Sequence, residues 1–340
     1  MKTNDTYNMR PFSKSGLWLL SIFPKLGSFN MYFNLYFLAA ISLFCMSGKI
    51  YSQQLPQYSN YMLNSYVINP AVAGSNNYFE GITNNRYQWV GLTDAPRTNI
   101  LSVNGPTKSL NVGLGGLLFT DIVGPTRRTG FYFSYAYHIK LREKVKLSFG
   151  LSGGFLQFMV DASKISLREP SDLVISNGLQ SVITPDFGLG VYTYSIDKKW
   201  YAGLSMPQLL QNRINFFETS SSSLSNLATH VFITGGYRLK LNDNFIIEPT
   251  TLIKFVRPAP IQFDIGLRAL YRGKVWLGTA YRHLDAVSVM MGYTVQENLT
   301  FAYAYDFTTS NIKNYSSGTH ELMVCIRFNK VTLFKNLKQE

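Results

Sequence analysis

Four histidines are the residues of this chain whose type most readily suggests metal chemistry. They are His138, His230, His283 and His320. A zinc site needs ligands at short, regular spacing or cysteine partners, and these histidines are far apart along the chain with neither. Each is interpreted as a histidine of the protein wall or of an interface. The sequence therefore predicts no metal site and no cofactor.

A second arrangement, His283, Asp285 and Ser288, contains the residue types of a hydrolase. A serine nucleophile needs a base that a third group orients in space, and these three residues surround a tight turn, HLDA. The glycine-rich stretch GLGG at 113–116 resembles a phosphate loop in composition, but it lacks the following lysine and helix. The sequence predicts a protein that is not an enzyme, with a lipase or protease that uses His283 and Ser288 as an alternative.

The composition limits the class of protein. Only 15% of the 340 residues are charged, whereas 46% are hydrophobic and 15% aromatic. Soluble globular chains carry roughly 25% charged residues. Outside the N-terminus no apolar run approaches the ~20 residues of a spanning helix, so the pattern does not favour a helical membrane protein. The formal net charge is +13, but the basic residues are scattered, which predicts anionic lipid or an acidic partner and no nucleic acid.

The N-terminus has the pattern of an export signal. An apolar stretch at 31–48 follows Lys14 and Lys25, and we predict cleavage after Ser52. An N-terminal anchor helix is the alternative. Removing five basic residues and one acidic residue leaves a mature charge of (32 − 5) − (19 − 1) = +9. The mature chain keeps one cysteine, Cys325, so it has no intrachain disulfide.

From about residue 76 the hydrophobic pattern has a period of two, which predicts β-strands. Fourteen such segments are separated by turn residues, and an antiparallel closed barrel needs an even number. The sequence thus predicts an all-β fold, an antiparallel transmembrane β-barrel of outer-membrane type with about 14 strands. The predicted strands cover roughly 76–89, 97–105, 110–122, 128–140, 144–160, 183–196, 199–206, 227–240, 244–256, 261–271, 274–282, 286–296, 299–309 and 319–329.

The connections between these segments sort by length. Those after even-numbered strands are short turns, such as LREK and DKK, whereas the two long connections, 161–182 and 207–226, follow odd-numbered strands. Bacterial barrels place short turns on the periplasmic side and long loops outside. A soluble sandwich or propeller has no reason to sort loops in this way.

The strand LTFAYAYDF at 299–307 shows which side faces lipid. One face carries Leu299, Phe301, Tyr303, Tyr305 and Phe307, and the other carries Thr300, Ala302, Ala304 and Asp306. We predict that the large apolar face contacts lipid and the small polar face lines the lumen. The other charged residues expected in the lumen are Glu248, Lys254, Asp264, Arg268, Arg282, Glu321 and Arg327.

Four segments organise the chain. Residues 1–52 are the predicted leader, 76–329 the barrel, and 330–340 a tail that is either a periplasmic extension or a partner contact. Residues 53–75 do not alternate like a strand. They are predicted to lie in the periplasm or to plug the lumen, and an open pore and a sealed lumen both remain compatible with the sequence.

The stretch RYQWVGLTDAPRTN at 86–99 has the densest set of unusual residues. Arg86 and Trp89 differ in parity and are expected on opposite faces near a strand end, while Pro96 makes the loop before Arg97 rigid. One interpretation is a stable hairpin with an interface tryptophan and a lumenal arginine. The other is a preset loop presented at the barrel mouth.

Six blocks of the sequence form an ordered set: INPAVAGS at 68–75, RYQWVGLTDAPRT at 86–98, GLGGLLFTDIVGP at 113–125, HVFITGGY at 230–237, WLGTAYRHLDAVSVMMGY at 276–293 and YAYDFTTSNIKNYSSGTHELMVCIRF at 303–328. These blocks resemble the PorP/SprF family of outer-membrane proteins of the type IX secretion system. They run in order across essentially the whole mature chain. By motif position, the candidate structural or partner-binding residues are Asn69, Pro70, Arg86, Trp89, Pro96, Arg97, Arg282, Asp306 and Tyr315.

The resemblance implies a non-enzymatic protein of a Bacteroidota-type outer membrane, exported by a signal peptide. It implies support for secretion or surface attachment of adhesin-type cargo with a type IX C-terminal domain, and linkage to gliding and secretion machinery. The implied partners are outer-membrane lipid, such cargo, and other secretion components including periplasmic lipoproteins. The alternative is an outer-membrane channel for hydrophobic or small polar solutes, which the small and charged lumen face suggests.

Overall fold

The computed structural model describes residues 55–165, 178–214, 225–257 and 259–331. The predicted leader 1–52 lies outside these described residues, as do most of the predicted tail and the central parts of the two long connections. In the described part of the chain, no helix has the length and apolar character needed to cross a membrane.

In the described part of the chain, fourteen antiparallel strands form a closed barrel. The last strand pairs with the first, with Phe79 opposite Phe328, and this pairing closes the wall. The strands are β1 Phe79–Tyr87, β2 Arg97–Pro106, β3 Val112–Val123, β4 Thr126–Arg142, β5 Val145–Asp161, β6 Leu179–Ser195, β7 Trp200–Met206, β8 His230–Tyr237, β9 Phe245–Val256, β10 Gln262–Tyr271, β11 Val275–Arg282, β12 Ala286–Val295, β13 Leu299–Thr308 and β14 Thr319–Phe328.

The predicted fold is confirmed, and the strand bounds differ from the prediction by at most four residues. One connection is corrected. The predicted strands 110–122 and 128–140 left residues 123–127 as a connection, but only Gly124 and Pro125 separate β3 from β4. Gly124 has a φ of 55°, a conformation that glycine adopts without steric cost, so the chain reverses there within two residues.

Side chains alternate between an exposed outer face and a buried inner face. On β13, Phe301 and Phe307 are 48% and 54% exposed, whereas Ala304 and Asp306 are 0% and 1% exposed. The alternation predicted for LTFAYAYDF is therefore present, with the rings outside. An apolar outer band with charges confined to the interior is the arrangement that a hydrocarbon environment requires.

The two ends of the barrel differ. At the end called here the short-turn end, the wall begins at Phe79 and finishes at Phe328, and the connections are brief, such as 143–144 and 272–274. At the opposite, long-loop end lie the extended connections, which are 88–96, 162–178, 207–229 and 309–318. Two-residue strands, Arg213–Ile214 and Ser225–Asn226, pair within one of them.

Residues 55–78, called here the lumenal segment, lie inside the barrel. The Tyr61 hydroxyl lies 3.1 Å from Thr250 Oγ1 on β9, and the Tyr66 hydroxyl donates to Ser134 Oγ on β4 at 3.0 Å. Because β4 and β9 belong to different sides of a closed wall, a segment that reaches both crosses the lumen. It includes two short 3-10 turns, Ser65–Val67 and Pro70–Val72, and joins β1 at the short-turn end.

Glycines in the wall let the lumenal segment approach closely. A Cβ atom placed on Gly150 would overlap the backbone of Pro70 and Ala71, and one on Gly113 would overlap the carbonyl of Ala73. Both glycines lie in strands, where glycine destabilises the fold because it loses more conformational entropy than other residues. Their presence at these two positions indicates that the wall is shaped to hold the lumenal segment.

Candidate functional site

Charged side chains from six strands meet in the lumen near the long-loop end. They are called here the buried charge cluster and comprise Arg86 on β1, Lys254 on β9, Asp264 on β10, Arg282 on β11, Asp306 on β13 and Glu321 on β14. Each lies at an inward position of the period-two pattern, so barrel closure brings together residues that are far apart in sequence.

Arg86 is the centre of the cluster. Its guanidinium lies 2.8 Å from Asp306 Oδ2 and 2.9 Å from Glu321 Oε2. The three side chains are almost inaccessible, with 3% or less of each exposed. Hydrogen bonds between fully charged groups in such an environment are strong, but the charges are costly to bury unless every group is paired.

Arg282 extends the cluster along the wall. Its guanidinium lies 3.3 Å from both Asp264 and Asp306, and 3.2 Å from Asp285. Lys254 also contacts Asp264, at 3.2 Å. Acidic and basic groups therefore alternate through the network, which satisfies the charge of each by its neighbours.

The lumenal segment completes this network. Ser59 Oγ donates to Asp306 at 2.7 Å, and the backbone N–H groups of Ser59 and Asn60 donate to Glu321 at 2.8 and 2.9 Å. Arg86 in turn donates to Ser59 Oγ at 2.9 Å. The cluster thus binds the start of the lumenal segment as well as the strands.

A second anchor lies further along the lumenal segment. The Asn69 amide nitrogen donates to the carbonyl oxygens of Val191 and Leu204, at 3.0 and 3.3 Å. Its amide oxygen accepts from Ala71 N at 2.9 Å, which caps the 3-10 turn that begins at Pro70. Asn69 and Pro70 therefore hold the turn against β6 and β7.

The structure brings together three of the predicted site residues, Arg86, Arg282 and Asp306, and places the others elsewhere. Tyr315 is 74% exposed in the connection before β14, and Arg97 is exposed at the start of β2. Pro96 precedes it, and the Pro96 carbonyl accepts from Gln88 N at 2.9 Å.

The end of the strand before Trp89 differs from the predicted end at residue 89. Strand β1 ends at Tyr87, so the alternation that was expected to place Trp89 opposite Arg86 does not extend that far. Trp89 instead has a φ of 51° and its N–H donates to Thr319 Oγ1 at 3.1 Å. Ser59 and Asn60 were not among the predicted site residues, because they lie in a segment without periodicity.

The residues of the hydrolase alternative have separate partners. Ser288 Oγ donates to Asp306 at 2.6 Å, and Asp285 contacts Arg282. The His283 ring stacks on Phe263, with ring centroids 4.5 Å apart. No hydrogen bond joins His283, Asp285 and Ser288 to one another in the described structure, so they do not have the geometry of a nucleophile activated by an oriented base.

A small apolar cavity lies beside the lumenal segment in the half of the barrel nearer the long-loop end. It has a volume of about 130 Å³. Its apolar and aromatic lining includes Tyr58, Phe119, Tyr132, Phe232, Leu252 and Val256. An engineered apolar cavity of about 150 Å³ is known to bind benzene, so this space is of the size that a small apolar molecule needs.

An apolar outer face, a charged interior and closure by strand pairing define the class of the protein as an outer-membrane β-barrel. The sequence profile described as "Type IX secretion system membrane protein PorP/SprF" matches residues 50–326. The chain belongs to the PorP/SprF family of type IX secretion membrane proteins.

Solved outer-membrane barrels resemble the structure only in fold. The toluene transporter TbuX of Ralstonia pickettii is 10% identical, with a TM-score of 0.45, and the match covers 78% of this chain and 93% of TbuX. A FadL homologue of Pseudomonas aeruginosa is 10% identical, with a TM-score of 0.40 and coverage of 74% and 88%. The outer membrane protein Omp33 of Acinetobacter baumannii is 7% identical, with a TM-score of 0.43 and coverage of 75% and 100%. A comparison with curated proteins finds no match.

Proposed function

We propose that the protein is a non-enzymatic scaffold of the type IX secretion system in the outer membrane. In this proposal it supports the secretion or surface attachment of adhesin-type cargo that carries a type IX C-terminal domain. It also links that cargo to gliding and secretion machinery, including periplasmic lipoproteins, in a Bacteroidota-type cell. Membership of the family supports the role in secretion.

The scaffold role is supported by the position of the lumenal segment, which lies inside the barrel and is bound to its wall. It is bound to the wall near the long-loop end through Ser59 and Asn60, and further along through Asn69. A solute channel needs a continuous path through the lumen, and this segment crosses that path with its polar groups bonded to the wall. A barrel held in this way is suited to present surfaces rather than to conduct.

The surface proposed to contact cargo is at the long-loop end. Two connections are joined there, because Val90 N donates to Gly318 O at 2.8 Å and Ser317 N donates to Val90 O at 2.7 Å. Tyr315 projects from this joined pair and is 74% exposed. Exposed aromatic residues on a rigid support are frequent centres of protein interfaces. We include the connections 161–182 and 207–226 in the same surface.

A photo-crosslinking experiment tests this assignment. Tyr315 is replaced by a photoreactive phenylalanine derivative in the native bacterium, and crosslinked proteins are identified by mass spectrometry. The proposal expects a crosslink to a protein with a type IX C-terminal domain. The control position is Tyr237, which is 46% exposed on the wall near the short-turn end. A cargo crosslink of equal yield from Tyr237, or none from Tyr315, contradicts the assignment.

A second candidate function is a channel for hydrophobic or small polar solutes, and the apolar cavity beside Tyr58 and Phe119 favours it. Single-channel recording of the purified protein in a planar bilayer separates the two functions. Steady openings support the channel. A silent protein supports the scaffold.

A further inference from the structure

A large cavity opens at the short-turn end, between the lumenal segment and the wall. It is called here the short-turn vestibule and has a volume of about 800 Å³. Ligand pockets in proteins occupy roughly 300–1,000 Å³, so the vestibule has the capacity of a binding site. The lumenal segment, including residues 74–78, forms one side of it.

The charged lining of the vestibule is strongly biased. Among the residues that the structure describes, six basic side chains and two acidic side chains line it, an excess of four positive charges. The basic residues are Lys140, Lys146, Lys198, Arg238, Arg268 and Arg327, and the acidic residues are Glu80 and Glu248. A concave site lined by one sign of charge concentrates ligands of the opposite sign.

The two acidic residues are already engaged by arginines. Glu248 contacts Arg268 and lies 3.5 Å from Arg238, and Glu80 lies 3.3 Å from Arg327. Among the described residues, no carboxylate lies within ion-pair distance of the three vestibule lysines. The lysines are Lys140, Lys146 and Lys198.

The surroundings of Lys198 reflect the excess of positive charge in the vestibule. Its ammonium group donates to the Ser75 carbonyl at 2.6 Å and lies 4.4 Å from the Tyr194 ring centroid. Burial, and then the nearby charge of Lys146, lower the pKa of Lys198 to about 8. Arg238 adds to this repulsion and Glu80 opposes it. The Arg238 Nε atom is also buried without a hydrogen-bond partner in the described structure.

The cations are spread along the wall and do not converge on one point. Lys140 lies at the end of β4, Lys146 at the start of β5, Lys198 between β6 and β7, and Arg238 directly after β8. Neighbouring strands are about 4.8 Å apart, so the four cations form an arc along five strands. Consecutive residues of an extended peptide advance by about 3.3 Å, which suits several carboxylates on one chain better than a single compact anion.

We propose that the short-turn vestibule binds an acidic peptide segment of a periplasmic protein. Carboxylates of the segment pair with Lys146, Lys198 and Arg238, and its remaining surface packs on the aromatic side chains of the same wall. These aromatic residues are Tyr192, Tyr194, Trp200 and Tyr201. The short-turn end of a bacterial barrel faces the periplasm, so a ligand reaches the vestibule from that compartment.

Fluorescence anisotropy of a labelled hexaglutamate peptide tests the proposal, with the full-length protein in neutral detergent at low salt. Hexaglutamine is the matched neutral peptide. The proposal expects saturable binding of hexaglutamate only, and a loss of affinity of about tenfold or more in the variant with both Lys146→Gln and Lys198→Gln, because each lost charge removes a charge-assisted contact. Control variants are Lys108→Gln, in an exposed turn at the same end but outside the vestibule lining, and Lys313→Gln at the long-loop end.

Three results of the direct binding measurement would overturn the proposal, as would the competition result given below. They are the absence of saturable hexaglutamate binding, equal binding of hexaglutamine, and unchanged affinity in the double variant. Tripolyphosphate is added as a competitor, and displacement at a concentration far below that of unlabelled hexaglutamate would assign the vestibule to phosphates instead of a peptide. The inference goes beyond the proposed cargo role. Its failure leaves that role intact, because cargo secretion is measured separately.

Discussion

Arg86 on β1 reaches past the neighbouring strand β14 to bond Asp306 on β13, with 2.8 Å between the guanidinium and the carboxylate. The same guanidinium bonds Glu321 on β14. Strands β14 and β1 form the seam at which the two ends of the wall meet. The contact therefore fastens the seam from inside, and through Ser59 it fastens the lumenal segment at the same place.

Replacing Arg86 by glutamine is expected to destabilise the barrel. The change leaves Asp306 and Glu321 without their main cation in a buried site, and breaking a buried ion pair by removing one partner costs about 3–5 kcal/mol. Unfolding by urea, followed by tryptophan fluorescence in detergent, measures the loss. The control is Arg97→Gln at an exposed position, which is expected to change stability by less than about 0.5 kcal/mol. Equal stability of the Arg86 variant and the wild type would contradict the claim that Arg86 stabilises the seam between β14 and β1.

Enlarging Gly150 is expected to displace the lumenal segment. A valine there overlaps the backbone of Pro70 and Ala71, so the segment has to move away from β5 while the outer face of the wall is unchanged. We expect ion-conducting openings in planar bilayers and faster amide hydrogen exchange in residues 60–73.

The control for this displacement is Gly116→Val. A Cβ atom on Gly116 has nothing within 4 Å, so that variant should remain silent and protected. Slow exchange in the Gly150 variant, in a barrel that still shows wild-type strand content by circular dichroism, would show that the segment is not held at this glycine.

Binding of hexaglutamate is expected to weaken as the pH rises from 7 to 9. Lys198 has a pKa of about 8, so its ammonium group is charged below that pH and loses its proton above it. A bound anion favours the charged form, and binding near pH 8 therefore takes up a proton. The other charged groups that act on Lys198 are Lys146, Arg238 and Glu80. We expect an affinity lower by about threefold or more at pH 9, and a flatter pH profile in Lys198→Gln. An identical slope in the two proteins would remove Lys198 as the titrating group.

A charge on the outer face is expected to be costly in the middle of the wall. Met291 is 50% exposed near the centre of β12, and Met291→Arg should lower the free energy of unfolding in lipid by about 2–4 kcal/mol. Tyr237→Arg, at the end of β8, should cost about 0–1 kcal/mol, because the cost decreases toward the interface. Urea titration in liposomes measures both, and equal costs would contradict a lipid-facing band.

The barrel could be predicted from the sequence because each strand of its wall shows a local alternation of large and small or polar residues. In β13, large residues at 299, 301, 303, 305 and 307 alternate with small or polar ones, and the alternation fixes both the strand and its faces. The lengths of the connections also predicted which end of the barrel faces the periplasm. Inward charges such as Arg282 and Asp306 were also visible, since parity alone places them in the lumen.

The contacts of the lumenal segment could not be predicted in the same way. Ser59 and Asn60 lie in a stretch without periodicity, and their partners Asp306 and Glu321 are more than 240 residues away in sequence. Only closure of the wall brings these groups together. The end of β1 was predicted two residues too late for a related reason, since the strand ends at Tyr87 and Trp89 has a positive φ.

The secretion role is tested most directly by deleting the gene in its own bacterium and measuring where proteins with type IX C-terminal domains accumulate. Periplasmic, outer-membrane and secreted fractions are compared by quantitative mass spectrometry, with the wild-type gene restored as the control. The account predicts that at least one such cargo protein is lost from the surface or the medium, is retained in the periplasm, and is secreted again after complementation. Unchanged delivery of every detected cargo protein in the deletion strain would contradict it.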